Sequence, residues 1–248
     1  PSSSWAKVAN ARVPECQTFG SIVLNNSVGG LNPYAVDAAA RDGAKVVWFP
    51  TVDTVAAIKK TEHIEEGGRR PFWLDVLLSI QADGMELKPV RILDDDGKLV
   101  PEAIEVLDVI ARYNMILATG HISVREAKEL IKVAKERKVE KIICTHVDSQ
   151  LCFWDIEDQI EYVKKYGVYM EHCSNSCTTG KVAWDVCLNQ IKSIGCEHII
   201  ISTDLGQRKH KYPDEGLLDF ANWMLENGIS ETDVRKTICE NPKQLLFG

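Results

Sequence analysis

Three short apolar runs in this 248-residue chain lead into groups that bind metal ions. ILATGH ends in His121, IICTHV contains His146, and IIISTD ends in Asp204. Imidazole and carboxylate are the donors that zinc and similar divalent ions take in catalytic sites, where one coordination position stays open for water. Each group alone reads equally well as an ordinary polar residue leaving a strand. Taken together, flanked by T-G-H, T-H and S-T-D, they form one candidate centre if the fold brings these strand ends to a common rim.

The elements around them suit that requirement. Short β-branched runs alternate with amphipathic helical stretches from Ser4 to the C-terminus, which is the pattern of βαβ units on a parallel sheet. Six strands are expected, at Phe19–Leu24, Lys45–Phe49, Met115–Ala118, Lys141–Cys144, Val168–Met170 and His198–Ser202. Most are continuous apolar runs, as strands covered on both faces require. Asn32-Pro33 is a helix start, with Gly43 closing that helix. Pro101 to Arg112, Ser123 to Lys138, Asp155 to Tyr166 and Lys181 to Ile194 read as crossover helices, and Ser123 with Glu126 forms an S-x-x-E capping box.

Residues Thr54 to Leu87 make a helix-bearing excursion that includes KKTEHIEEGGRR. Val90–Leu93 and Lys98–Val100 flank an Asp-Gly turn and read as a hairpin. Asp214–Asn227 and Ser230–Glu240 read as closing helices. The expected architecture is a single α/β domain over residues 1–248, a (β/α)8 TIM-like barrel of which about six βα units are present. Completing it would take two more units, roughly 60 residues. Ser2–Arg12 looks like the helix of an earlier unit, upstream of the opening Pro1.

On these residues the chain resembles the metal-dependent amidohydrolase superfamily. Those enzymes are (β/α)8 barrels with metal ligands on a first-strand H-x-H, on the fourth strand, as a His on each of the fifth and sixth strands, and as an Asp on the eighth. With two units missing, the runs ending at His121, His146 and Asp204 fall on the fifth, sixth and eighth strands. ENPKQLLFG at the C-terminus is similar to the N-P-x-x-L-L segment of such chains. VLNNSVGGLNPYAVDAA, VVWFPTVD and ILATGHIS resemble an uncharacterised branch of amidohydrolase-like proteins.

The resemblance implies a divalent ion, zinc or else manganese or iron, held by His121, His146 and Asp204. It also implies that Asp204 takes the proton of the attacking water and passes it to the leaving group. The implied reaction is hydrolysis of an amide, lactone, ester or phosphoester bond in a small molecule. Two departures stand out. No H-x-H occurs, so the first-strand ligands are absent or lie upstream, and the strand ending Trp48-Phe49-Pro50 has no Lys for a carboxylated bridge.

Other residues are candidates beside these. Asp53 is the carboxylate nearest that lysine-free strand end, a turn residue or a ligand. Glu171 and His172 end the run YMEHC, and one of them should face the site, because a carboxylate leaving an apolar strand is costly unless paired or coordinated. Asn25, with Asn26, Gly29 and Gly30, forms a loop that is either a tight turn or a close approach to a substrate oxyanion or phosphate. Cys173 and Cys177 are spaced too simply for a zinc knuckle, His63 reads as solvated, and His198 and His210 read as structural and exposed. Arg208, Lys209 and Lys211 could favour an anionic substrate.

Composition excludes several classes. A net charge of −7 gives no footprint for a phosphate backbone, so nucleic acid is not an expected partner. No apolar run approaches the roughly 20 residues of a membrane span, so a soluble, cytoplasmic protein is expected, with a homo-oligomer possible. Eight cysteines read as reduced thiols rather than a disulfide scaffold. NSCTTGKV lacks the first Gly of a phosphate loop, and no G-x-S-x-G elbow occurs. The alternatives are a non-catalytic barrel with a binding role and a metal-independent lyase or isomerase, although no strand ends in the Lys that such chemistry would use.

Overall fold

A computed structural model describes residues 1–62, 72–150, 152–207 and 209–248. His63, most of the charged stretch around it, and Arg208 lie outside the described residues. The chain divides into two compact units, Pro1–Lys141 and Ile142–Gly248.

The first unit runs α1 (Ser3–Arg12), β1 (Gly20–Val23), α2 (Pro33–Arg41), β2 (Ala44–Trp48), α3 (Val55–Glu62), α4 (Phe72–Ala82), α5 (Pro101–Arg112), β3 (Ile116–Ala118) and α6 (Val124–Glu136). β1 pairs with β2, and β2 with β3, both in parallel. The start signals in the sequence do what their chemistry demands. Asn32 caps α2 by accepting from the Ala35 amide, with Pro33 in the first turn, and Ser123 and Glu126 complete a reciprocal capping box on α6. The apolar stripes of α5 and α6 (Val106, Leu107, Ile110; Leu130, Ile131) are buried with Ile22, Val47 and Leu117 of the strands. The expected hairpin is reduced to a single antiparallel bridge, Leu93 to Leu99. Asp94 Oδ1 accepts from the amides of Asp96 and Lys98, 3.0 and 2.9 Å away, which turns a potential ladder donor onto a side chain.

The second unit runs β4 (Ile142–Cys144), α7 (Ile156–Tyr166), β5 (Tyr169–Cys173), α8 (Ser174–Thr178), α9 (Trp184–Ile194), β6 (Ile199–Ser202), α10 (Pro213–Glu226), α11 (Glu231–Arg235) and α12 (Asn241–Phe247). β4, β5 and β6 pair in that order, all parallel. β5 runs past Met170 through Glu171 and His172 to Cys173, further than the sequence suggested, because these polar side chains find buried partners. α9 starts at Trp184, since the short helix α8 and Gly180, at φ 73°, occupy the preceding residues.

The closing stretch 230–240 is not one helix. α11 passes through a π turn at Lys236–Glu240 into α12. Pro242 has no N–H and would crowd the carbonyl one turn before it, and the widened turn relieves that conflict. Asn241 Nδ2 then donates to the carbonyls of Cys196 and Ile199, at 2.9 and 2.7 Å, fixing the tail beside the start of β6. No helix among the described residues is long and apolar enough to cross a membrane.

Candidate metal centre

In the second unit, the ends of β4, β5 and β6 carry a cluster of donors. His146 follows β4 by two residues and has φ 50°, a left-handed conformation that side chains seldom adopt. Its Nδ1 lies 3.0 Å from Cys173 Sγ and 3.4 Å from Glu171 Oε2. Ser202, at the end of β6, donates from Oγ to Glu171 Oε1 at 2.9 Å and lies 2.9 Å from Cys173 Sγ. Glu171 and Cys173 stand two residues apart on β5 and so share one face. Burial, then the Glu171 charge, pushes the Cys173 thiol well above its ordinary pKa.

This donor set fits a divalent ion. One nitrogen of His146, one oxygen of Glu171 and the Cys173 sulfur all lie within 4.8 Å of one another. Glu171 is 4% exposed, and its Oε2 accepts no hydrogen bond. A buried carboxylate oxygen without a donor is costly, and a cation at that point offsets the cost. Asp204, two residues beyond β6, is exposed, also has φ 50°, and accepts at Oδ2 from Asn175 Nδ2 at 3.1 Å.

The opposite face of β5 carries His172. It is fully buried, with Nδ1 2.9 Å from Asp148 Oδ2 and 3.6 Å from Cys187 Sγ. Of the two polar residues closing YMEHC, Glu171 is the one that joins His146. The Cys187 thiol is pushed far up, first by its contact with Cys177, then by burial and the Asp148 charge. All eight cysteines are free thiols.

The first unit holds the remaining candidates. His121 follows β3, and its amide donates to Pro50 O at 2.9 Å. Gly120 makes this possible. It sits at φ 65°, and a Cβ there would come 2.2 Å from Phe49 O and 2.6 Å from Pro50 O. His121 lines a cleft of about 370 Å³ together with Lys59, Arg91, Arg125 and Ser123. Asn25 Oδ1 accepts from the Thr51 amide at 2.9 Å while its Nδ2 donates to Thr51 Oγ1 at 2.9 Å. Asp53 Oδ2 accepts from the Asn26 amide at 2.7 Å. Asn25 and Asp53 thus tie the loops after β1 and β2 to each other.

The family of unknown function DUF6282 matches residues 1–171. The chain belongs to this family. No curated protein matches the sequence. Among solved structures it is similar to an amidohydrolase from Pseudomonas aeruginosa, with 14% identity and a TM-score of 0.52 over 86% of this chain and 67% of that one. It is also similar to organophosphorus hydrolase from Deinococcus radiodurans, with 13% identity and a TM-score of 0.50 over 98% of this chain and 83% of that one. At such identities the likeness speaks for the fold. It is an α/β fold of parallel strands alternating with helices, the fold class that the sequence resemblance implies.

Four members of the DUF6282 chain's clusters are not among the sequence candidates in these roles: Cys173, Asp148, Cys187 and Ser202. Sequence spacing pairs Cys173 with Cys177, whereas its neighbour in space is His146, 27 residues earlier. Asp148, two residues past His146 in T-H-V-D, went unremarked. The usable signal was there: a strand of five residues with two consecutive ionisable groups needs a polar partner on each face. Of the basic residues, Lys211 is engaged with Asp219 at 2.5 Å.

Proposed function

We propose that this protein is a metal-dependent hydrolase that cleaves an amide, lactone, ester or phosphoester bond in a small molecule. The reading rests on one observation above all: His146, Glu171 and Cys173 converge at strand ends of a fold shared with hydrolases, around a buried carboxylate oxygen that no hydrogen bond satisfies. His146 and Glu171 would hold the ion, with Cys173 beside them. The ligand role of His121 rests on the superfamily resemblance and is a separate proposal. A divalent ion supplies Lewis acidity, which makes water nucleophilic near neutral pH and polarises the scissile oxygen.

The chain's own residues do the rest. Ser202 fixes the Glu171 carboxylate by donating to Oε1, leaving Oε2 turned toward His146. Asp204 is the proton acceptor, with Asn175 holding one of its oxygens and setting the carboxylate's direction. It takes a proton from the attacking water and returns it to the leaving group.

The purified protein should contain zinc, manganese or iron in stoichiometric amount, and His146→Ala should lower that content. A panel of lactones, aryl esters, N-acyl amides and phosphotriesters, assayed before and after chelation, should show turnover that disappears with the metal and returns on its re-addition. Metal-free protein that gains no thermal stability from any of the three ions would end this reading.

A further inference from the structure

The other face of β5 carries a second cluster, unrelated to the chemistry above. We propose that Asp148, Cys177 and Cys187, with His172 beside them, form a structural site for a thiophilic divalent ion such as zinc. The four residues come from four places in the second unit: the loop after β4, β5 itself, α8 and α9. A carboxylate oxygen of Asp148 and the two sulfurs lie within 4.8 Å of one another. His172 Nδ1 is 2.9 Å from Asp148 Oδ2 and 3.6 Å from Cys187 Sγ.

The two sulfurs and one oxygen make a three-donor set, and the His172 nitrogen beside Asp148 and Cys187 would be the fourth ligand of a closed, four-coordinate zinc site. Donors about 2.0–2.3 Å from zinc at tetrahedral angles lie roughly 3.3–3.8 Å apart. The His172–Cys187 separation already falls in that range, and the Asp148–His172 contact would open slightly on loading. No position in this set is exposed: the Asp148 and His172 side chains are both at 0%, and Cys177 and Cys187 at 3% and 0%. A closed site with no route for substrate is structural.

The cluster is otherwise hard to account for. Asp148 Oδ1 is buried and has no hydrogen-bond partner. An interior filled for packing alone would use aliphatic side chains here, since His172 reaches only Oδ2 of this buried carboxylate and leaves Oδ1 without a donor. A divalent ion compensates that oxygen. On binding, each thiol gives up its proton to solvent, the ion stays divalent, and no redox partner is needed.

The consequence reaches the candidate centre. His172 lies between Glu171 and Cys173 on β5, and Asp148 is two residues from His146. An ion joining β5, α8, α9 and the loop after β4 would hold the strand that presents Glu171 and Cys173, without touching substrate.

Cobalt titration of the metal-stripped full chain tests this. Two thiolate ligands should give a near-ultraviolet sulfur-to-cobalt band and the visible bands of tetrahedral cobalt. Both should survive in Cys173→Ala and His146→Ala, and in the Cys173→Ala background they should vanish when Cys177→Ala and Cys187→Ala are added, with metal content falling by one ion per chain. If that triple variant does not fold, X-ray absorption of zinc-loaded Cys173→Ala still decides, because its zinc shell should contain sulfur. A sulfur-free shell, a cobalt band undiminished in the triple variant, or a Cys177–Cys187 disulfide in the protein as purified would each overturn the proposal. None of these readouts depends on hydrolase activity, so a failed substrate panel leaves them intact.

Discussion

His146 and Asp204 leave different strands yet share one backbone conformation, φ 50° in each. Among the described non-glycine residues, the other two with positive φ are Asn114 and Lys138, which follow the ends of α5 and α6. There the left-handed turn is an ordinary helix stop. At His146 and Asp204 no helix ends. Such a conformation costs about 1–2 kcal/mol and persists where the surroundings impose it, which is common at functional sites.

That shared conformation makes Asp204→Asn a clean test, because Asn tolerates the left-handed region as well as Asp does. The exposed position should leave unfolding free energy within about 0.5 kcal/mol of the parent. Turnover should fall by roughly 10²–10⁴ if the carboxylate moves the proton. Urea titration and steady-state rates on the same preparation separate the two, and an undiminished rate removes Asp204 from the chemistry.

Gly120→Ala tests how the T-G-H motif places His121. The added methyl would meet two backbone oxygens, which cannot swing aside as a side chain would. Strain from the positive φ alone is of order 1–3 kcal/mol, and the clash adds to it. A marked fall in the urea midpoint is expected. Unaltered stability would mean that β3 does not pass so close to Phe49 and Pro50.

These cases show what was readable from sequence. T-G-H, T-H and S-T-D were legible as strand ends because each closes a continuous apolar run, and caps such as Asn32 and Ser123 because their chemistry is local. The reach of β5 was not legible. Val168–Met170 reads as apolar and Glu171-His172 as its end, until partners 24 to 31 residues away in sequence accept those groups into the interior. Long-range pairing of this kind leaves no local period to detect. The π turn before Pro242 was hidden for a different reason: propensity reads straight through a helix whose hydrogen bonds must widen.

Buried thiols set an alkaline limit. Cys152 is pushed up to about 12, mainly by burial and then by the charges of Asp148 and Glu171, and Cys196 to about 11, mainly by burial. The folded state therefore holds these protons more tightly than the unfolded chain, whose thiols titrate near 8.5. Their contribution to stability is complete below that pH and is lost as pH climbs toward the folded values. Metal-free protein should show a melting temperature that falls steadily above about pH 8.5. Native iodoacetamide labelling at neutral pH should reach the exposed Cys16 and Cys239 first. A melting temperature flat to strongly alkaline pH would contradict the burial of these groups.

Ser202→Ala examines the support beneath the candidate centre. The Ser202 hydroxyl has one proton, and it goes to Glu171 Oε1. Its 2.9 Å contact with Cys173 must then use the thiol proton, which leaves His146 Nδ1 to donate across the 3.0 Å to Cys173 Sγ. Removing the hydroxyl strips Oε1 of its donor, so both oxygens of a buried carboxylate go unsatisfied, at about 1–3 kcal/mol. Metal-free Ser202→Ala should be destabilised by that order. Its metal affinity should drop 10–100-fold, the usual effect of losing a group that orients a ligand. Because the ion itself compensates Glu171, the stability difference between variant and parent should narrow on metal saturation. A difference that is the same with and without metal would show that Ser202 packs against the site but does not orient it.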